Sequence, residues 1–213
     1  MYLVLLGPPG AGKGTQAAAL SREFKLAHIS TGDMLRVAVR EKTDLGLKAQ
    51  EFMDRGDLVP DDLVIAMMRR RLQANDARDG FVLDGFPRNV SQAEGLDAIL
   101  AELDMPLELV INLEVPESEL VRRMTGRRVC PNCGASYHLV FNPPKSLGVC
   151  DQCGEDLVQS DDYKEATVRA RLEVYERENA PLVKYYQDAG LLVQIDGLGT
   201  VDQVYERIRG ELK

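Results

Sequence analysis

Two residue patterns in this chain are equipped for chemistry. The first is Gly7-Pro8-Pro9-Gly10-Ala11-Gly12-Lys13-Gly14-Thr15. Its G-x-x-x-x-G-K core matches a phosphate-binding loop and sits where that loop must, between an apolar strand and a helix. The strict form has Ser or Thr directly after Lys; here Gly14 intervenes and Thr15 follows. Gly7, Gly10, Gly12 and Gly14 let the backbone wrap a phosphate with its N–H groups turned inward. Gly10 to Thr15, Ala11 included, would form that cradle at a helix N-terminus, whose dipole favours anions. Lys13 can reach the β- and γ-phosphates of a nucleotide and neutralise charge as it moves. Thr15 can hold phosphate or help to order Mg2+ and its waters.

The second pattern is a pair of knuckles, Cys130-Pro131-Asn132-Cys133-Gly134 and Cys150-Asp151-Gln152-Cys153-Gly154, with 16 residues between Cys133 and Cys150. This matches a four-cysteine zinc ribbon. Four thiolates complete a tetrahedron and leave no position for a reacting water, so the expected zinc is structural. It would replace a hydrophobic core in a segment too small to build one. All four cysteines of the chain fall within 24 residues, whereas a disulfide scaffold would spread them. Unmetallated thiols and a redox Cys-x-x-Cys are the alternatives; the doubled pattern with flanking glycines favours the metal. His138 lies nearby, but the sulfurs already suffice; it reads, like His28, as a surface residue.

The elements that must position these groups follow from periodicity. Short apolar runs predict strands at Tyr2–Leu6, Ala27–Ser30, Phe81–Asp84, Leu109–Leu113 and Leu191–Ile195. Helices are predicted at Gly14–Phe24, Thr31–Arg40, Leu45–Met53, Pro60–Leu72, Ser91–Ala101, Pro116–Met124, Tyr163–Tyr186 and Val201–Leu212. Ser91 with Glu94 reads as a capping box, and Pro181 as a break or kink. Residues 126–162 interrupt the pattern with Gly, Pro and Cys and read as an inserted small domain. Strands alternating with helices predict a three-layer α/β fold with a five-stranded parallel sheet covered on both faces.

Composition sets limits. A chain of 213 residues suits one α/β domain with insertions. A net charge of −8 opposes broad nucleic-acid binding, which needs a basic face, but permits a local anion site made by converging arginines. No apolar run reaches the ~18 residues of a membrane span. The N-terminal run is too short for a signal peptide, lacks a basic flank and leads straight into the phosphate loop. A cytoplasmic protein is expected.

Gly7–Gln16, Ser30-Thr31-Gly32-Asp33-Met34-Leu35-Arg36 and Asp84-Gly85-Phe86-Pro87-Arg88, in this order and spacing, resemble the three signatures of adenylate kinases. The resemblance spans nearly the whole chain, insertion included. It implies transfer of the γ-phosphoryl of Mg-ATP to AMP, giving two ADP, in a monomer. It also implies three parts: a CORE (1–29, 60–125 and 164–213), an AMP-binding flap (30–59) and a LID (126–163) carrying the four-cysteine site. Thr31, Arg36, Arg88 and Gln92 would hold AMP. The backbone of Asp57, Leu58 and Val59, and of Gly85, Phe86 and Pro87, would border the same pocket. A guanidinium fork suits the AMP phosphate, and the Gln92 amide can both donate to and accept from adenine. Asp84 can organise Mg2+ through water. Arg123 and Arg127 would face ATP and Arg171 the AMP side, surrounding the transferring group with Lys13 and Arg88. Ser136, Tyr137 and Gly199 would border the adenine of ATP. Arg128 and the run Arg69-Arg70-Arg71 read as solvated surface.

Two rival readings stand beside this one. The acceptor could be UMP, CMP or GMP; the Thr31 and Gln92 context and the long LID favour AMP. A zinc-ribbon ATP-binding module with a switch role would also carry both opening patterns; the acidic balance and the AMP-pocket motifs oppose it.

One departure bears on rate. The family has an arginine before an Asp-Asp pair at the LID exit, where this chain reads Gln159-Ser160-Asp161-Asp162-Tyr163-Lys164. Either Lys164 supplies that charge from a shifted backbone or the site works with one cation fewer. The expected outcome is active but slower chemistry than in a typical member. Turnover of Gln159→Arg and Ser160→Arg checks this: a gain in either supports it, and no change in both shows that the gap has no consequence.

Overall fold

The computed structural model describes residues 1–212; Lys213, the last residue of the predicted CORE, lies outside the described residues. Five parallel strands form the central sheet: β1 (Tyr2–Leu6), β2 (Ala27–Ser30), β3 (Phe81–Asp84), β4 (Leu109–Glu114) and β7 (Leu192–Asp196), in the order β2-β3-β1-β4-β7. The predicted fold class is therefore the observed one. The strands are short and mostly apolar because both faces of the sheet are covered. Alternation along β1 divides its side chains between two cores. Val4 and Leu6 face one layer with α4 (Asp61–Leu72) and α6 (Val90–Leu103). Leu3 and Leu5 face the other with α1 (Lys13–Phe24) and α9 (Val201–Glu211). Each fully buried Leu here contributes roughly 1.5–3 kcal/mol of transfer free energy.

Register brings the chemistry-bearing ends together. Leu5 of β1 and Ser30 of β2 both stand level with Asp84 of β3. The phosphate loop, the start of α2 (Thr31–Arg40) and the Asp84–Arg88 turn thus leave the sheet at the same, carboxyl, edge. Open α/β sheets bind ligands at that edge.

Several elements differ from expectation, each for a local reason. Helix α6 starts at Val90, because Asn89 is extended and its Oδ1 accepts the Gln92 N–H at 2.9 Å. Asn89 is the cap, and Ser91 lies inside the helix. Pro60 precedes α4 rather than opening it, and α4 buries Val64, Met68 and Leu72. A short helix, α5 (Asn75–Arg78), is additional to those expected. Pro181 neither ends nor splits α8 (Glu165–Asp188); buried Leu172, Val174, Leu182 and Tyr186 on both sides of it hold the helix to the cores. Tyr163, the predicted start of that helix, instead closes a single 3-10 turn, Asp161–Tyr163. Between α7 (Glu117–Thr125) and that turn, β5 (Arg127–Val129) pairs antiparallel with β6 (Ser136–His138).

Helices α2 and α3 (Asp44–Arg55) pack closely through Gly46. A Cβ there would lie 2.1 Å from the Ala38 carbonyl oxygen, and backbone cannot yield cheaply. Gly46→Ala gains helix propensity of ~1 kcal/mol but must push α2 and α3 apart. A net loss of about 1–3 kcal/mol is expected, read as a lower urea midpoint.

Candidate functional site

The phosphate loop owes its shape to three glycines with positive φ: Gly7 (138°), Gly10 (88°) and Gly12 (99°). Space is equally limiting. A Cβ on Gly7 would meet the Leu113 carbonyl oxygen at 2.8 Å, and one on Gly10 the Met124 Cγ at 2.9 Å. Gly12 caps α1, and Gly14 lies in its first turn, where a Cβ would press on Asp84 at 3.1 Å. Lys13 curls back over the loop and donates to the carbonyls of Gly7 (2.7 Å) and Pro8 (2.9 Å). Burial pushes its ammonium down to about 8; Asp84 opposes this, while Arg88 and Arg171 add to it. Thr15 is exposed at the rim.

Asp84 stands at the end of β3 beside this lysine. Burial would raise its carboxyl, but the neighbouring His28 imidazole and Lys13 outweigh that and hold it below the usual range. His28 Nε2 lies 3.7 Å from Asp84 Oδ2 and is itself buried. The reading of His28 as a surface residue is corrected: β2 runs beside β3 and points the imidazole at the carboxylate. No motif marks His28; strand pairing alone brings it there.

Next to the loop lies a cleft of about 580 Å³. Of the residues predicted for AMP, Thr31, Arg36, Asp57, Leu58, Val59, Gly85, Arg88, Gln92 and Arg171 line it. Phe86 does not, being buried in the core, and Pro87 lines an adjoining cavity of about 650 Å³ together with Lys13, Gly85, Arg88 and Arg171. The two cavities therefore share Gly56, Leu58, Gly85, Arg88 and Arg171. Thr31 Oγ1 donates to the Gly85 carbonyl at 2.7 Å, and Arg88 Nε to the same oxygen at 2.9 Å. Gln92 is buried; its Oε1 accepts the Arg88 N–H and its Nε2 donates to Asp61, leaving one lone pair and one N–H unused. No sequence motif marks Asp61. Arg36 is paired with Asp33 at 2.5 Å.

Positive charge collects here. Burial in the cleft and the neighbouring Arg171 push Arg88 down to about 10, although its side chain still reaches solvent. Burial also lowers Arg171, whose guanidinium donates to the Asp162 carbonyl at 3.3 Å. Two predicted arginines are elsewhere. Arg123 is paired with Glu119 at 2.9 Å and reaches the carbonyls of Gly197 and Ala11, so it touches the phosphate loop from outside. Arg127 donates to Ser136 Oγ at 2.9 Å. Gly199 sits at φ 118° just before the Thr200 cap of α9, with no room for a Cβ beside Gln203.

The four cysteines come together as the knuckles predict. Their sulfurs all lie within 4.8 Å of one another; a tetrahedron of ~2.3 Å Zn–S bonds needs about 3.8 Å. Each knuckle closes on its own glycine: Gly134 N–H bonds to Cys130 O and Gly154 N–H to Cys150 O, both glycines with positive φ. The donor set fits zinc. Burial raises the Cys150 thiol, but the Tyr137 hydroxyl and the Gln152 and Cys153 amides draw it down to about 6. Tyr137 is thus buried beside the sulfurs, its hydroxyl 3.5 Å from Cys150 Sγ.

At the exit of this segment, Lys164 is exposed and pairs with Asp161. Gln159 does something else. Its Nε2 donates to Thr125 O at 2.9 Å and Tyr163 O at 3.0 Å, tying the two necks of the insertion together. Gln159→Arg would break that tie, which makes Ser160→Arg the cleaner substitution. Arg128 is not merely solvated: it donates to the carbonyls of Thr125 and Arg127. His138 is half-buried, with Nδ1 accepting the Val140 and Phe141 amides. Arg69 and Arg71 form surface pairs with Glu102 and Asp76.

The arrangement predicts a proton signature. Between pH 8 and 10.5 the unfolded chain holds a proton on Lys13 that the folded chain lacks, so this group destabilises the fold at low pH and less as pH rises. A bound polyphosphate restores the ammonium. ATP binding at pH 8 should therefore take up about half a proton. Calorimetry in buffers of different ionisation heat measures it. Lys13→Met should abolish the uptake, and equal uptake in both proteins would contradict this origin.

Known proteins match the chain along almost its whole length. The family model described as Adenylate kinase matches residues 5–191. An adenylate kinase of Carboxydothermus hydrogenoformans is 55% identical over 213 residues, covering 100% of both chains. One of Syntrophobacter fumaroxidans is 53% identical over 98% of each chain, and one of Archaeoglobus fulgidus 52% identical over 100% of this chain and 98% of its own.

Proposed function

The chain belongs to the adenylate kinase family of phosphotransferases, and from that premise we propose how its residues divide the work of moving a phosphoryl group from ATP to AMP. The observation that carries the proposal is the pair of cavities joined at Gly85, Arg88 and Arg171, with Lys13 and the phosphate loop on one side and Thr31, Arg36 and Gln92 on the other. One nucleotide phosphate on each side would meet at the shared cations.

In this scheme an oxygen of the AMP phosphate attacks the γ-phosphorus while the bond from that phosphorus to the β–γ bridging oxygen breaks. Both products are ADP. The attacking oxygen is already ionised at neutral pH, so no general base is needed. What the protein supplies is alignment and charge. Lys13 and the loop amides of Gly10 to Thr15 hold the ATP phosphates. Arg88 and Arg171 bind the AMP phosphate and the moving group, with Arg36 recruited once it leaves Asp33. Arg123 and Arg127 approach from the insertion side, and Gly199 and the backbone at Ser136 and Tyr137 border the adenine of ATP. Mg2+ bound with ATP would supply charge neutralisation at the phosphates. Asp84, kept ionised beside His28, suits the orientation of its waters.

We assign residues 1–29, 60–125 and 164–213 to a CORE, 30–59 to an AMP flap and 126–163 to a zinc-bearing LID. Closure of the latter two would exclude water, which would otherwise take the phosphoryl group. No helix among the described residues is long and apolar enough to cross a membrane, and the net charge is −8. The acidic balance opposes nucleic-acid binding, and family membership is the basis on which we propose a cytoplasmic monomer that acts on nucleotides.

ADP production from Mg-ATP with AMP, compared with ATP alone and with UMP, CMP or GMP, tests the reading. Two ADP per ATP, dependent on AMP, is expected. Equal turnover with another acceptor would move the assignment to a different nucleotide. Absence of turnover in a folded, zinc-loaded sample would remove it.

A further inference from the structure

Arg127 is held in an unusual way. Arg36, Arg122, Arg123 and Arg169 each have a carboxylate within 4 Å; Arg127 has none among the described residues. Its guanidinium carbon instead stands 4.9 Å from the centroid of the Tyr163 ring, inside the ~6 Å range of a cation–π contact. Its Nε is fixed by Ser136 Oγ at 2.9 Å.

The ring is well anchored. Tyr163 is 4% exposed and belongs to the same core cluster as Val168 and Leu172 of α8. Its carbonyl accepts the Gln159 amide, which also grips Thr125 at the end of α7. The preceding residue, Asp162, offers its carbonyl to Arg171. Two consecutive residues of one 3-10 turn thus hold two cations, one from β5 and one from α8.

We propose that Tyr163 is a positioning residue for Arg127, a neutral dock that aims the guanidinium at ATP without cancelling its charge. The inference rests on the reading that Arg127 meets the ATP phosphates. A carboxylate in this place would hold Arg127 as firmly, but an incoming phosphate would have to displace it. A ring face attracts the cation through its quadrupole and carries no net charge. The full positive charge therefore stays available to the anion, and the arginine is ordered before ATP arrives, which lowers the entropy cost of binding.

The test is a double-mutant cycle between Tyr163 and Arg127 with KM and kcat read separately for ATP and AMP. Tyr163→Leu keeps an apolar side chain and removes the ring. It should raise KM for ATP by roughly 3- to 30-fold, with KM for AMP moved far less. Tyr163→Phe should recover most of that loss, and fluorinated phenylalanines at 163 should weaken ATP binding in step with ring electron withdrawal. In an Arg127→Ala background, Tyr163→Leu should have little further effect. If Tyr163→Leu costs the same with or without Arg127, or if fluorination has no graded effect, Tyr163 serves packing alone and the proposal fails. If Arg127→Ala leaves both constants for ATP unchanged, the failure lies in the role given to Arg127.

Discussion

Like charges held together in a cleft are the constraint on which this structure turns. Lys13, Arg88 and Arg171 converge where a phosphoryl group would pass, and no carboxylate pairs with any of them at ion-pair distance among the described residues. The cost is visible in their ionisation: burial and mutual repulsion push Lys13 to about 8 and Arg88 to about 10. A protein could relieve that repulsion with Asp or Glu side chains, but each would then compete with the substrate's phosphates. Here the cations are held mainly by backbone carbonyls: Gly7 and Pro8 for Lys13, Gly85 for Arg88, Asp162 for Arg171. A carbonyl dipole fixes the position of a cation and leaves its charge in place.

The fold exists to bring those carbonyls to one edge. Those of Gly7, Pro8 and Gly85 come from chain that is neither strand nor helix, at points where a strand has just ended. The parallel sheet delivers such points side by side, because β1, β2 and β3 all end at nearly the same level. Positive φ at Gly7, Gly10, Gly12 and Gly85 turns the carbonyls and amides in the directions needed. The buried carboxylate near the cluster, Asp84, lies close to Lys13 yet is occupied on its other side by His28. It tempers the positive field without quenching it.

This logic explains which parts of the molecule are legible in the sequence. The five strands announce themselves as apolar runs, and the glycine spacing of the phosphate loop leaves little freedom of interpretation. The cysteine knuckles are equally explicit, since two residues per turn and a following Gly are local geometry. Much of the lining of the cleft beside the loop follows from motif resemblance. What stays hidden depends on contacts between distant residues. His28 meets Asp84 through strand pairing, and Asp61 meets Gln92 and Asn89 across 31 and 28 residues. Asn89 displaces Ser91 as cap because its side chain has that second partner, which propensity alone cannot register. Pro181 fails to break α8 because the helix is pinned on both sides by core contacts, a tertiary effect that overrides a local rule. Tyr163 suits a helix start as well as it suits the 3-10 turn it closes, so its pattern does not separate the two.

The cysteine-bearing segment fits the same argument. It has little apolar core of its own: Cys130, Cys150 and Tyr137 are its buried centre. Under the proposed reading it would have to present Arg127 with some precision, since a cation displaced by an ångström loses much of its effect on a transferring charge. Thiolates around a bound metal would supply rigidity in a space too small for hydrophobic packing. That rigidity would reach Arg127 along β5, which lies between the first knuckle and α7. The guanidinium is met by Tyr163, which belongs to the main core rather than to the inserted ribbon. Arg127 thus sits between two differently built supports, a metal-competent ribbon and a packed aromatic ring, and neither contributes a negative charge directly against it. Arg36 and Arg123 each pair with a carboxylate, Asp33 and Glu119, and under the proposed reading those ion pairs would open when a nucleotide arrives.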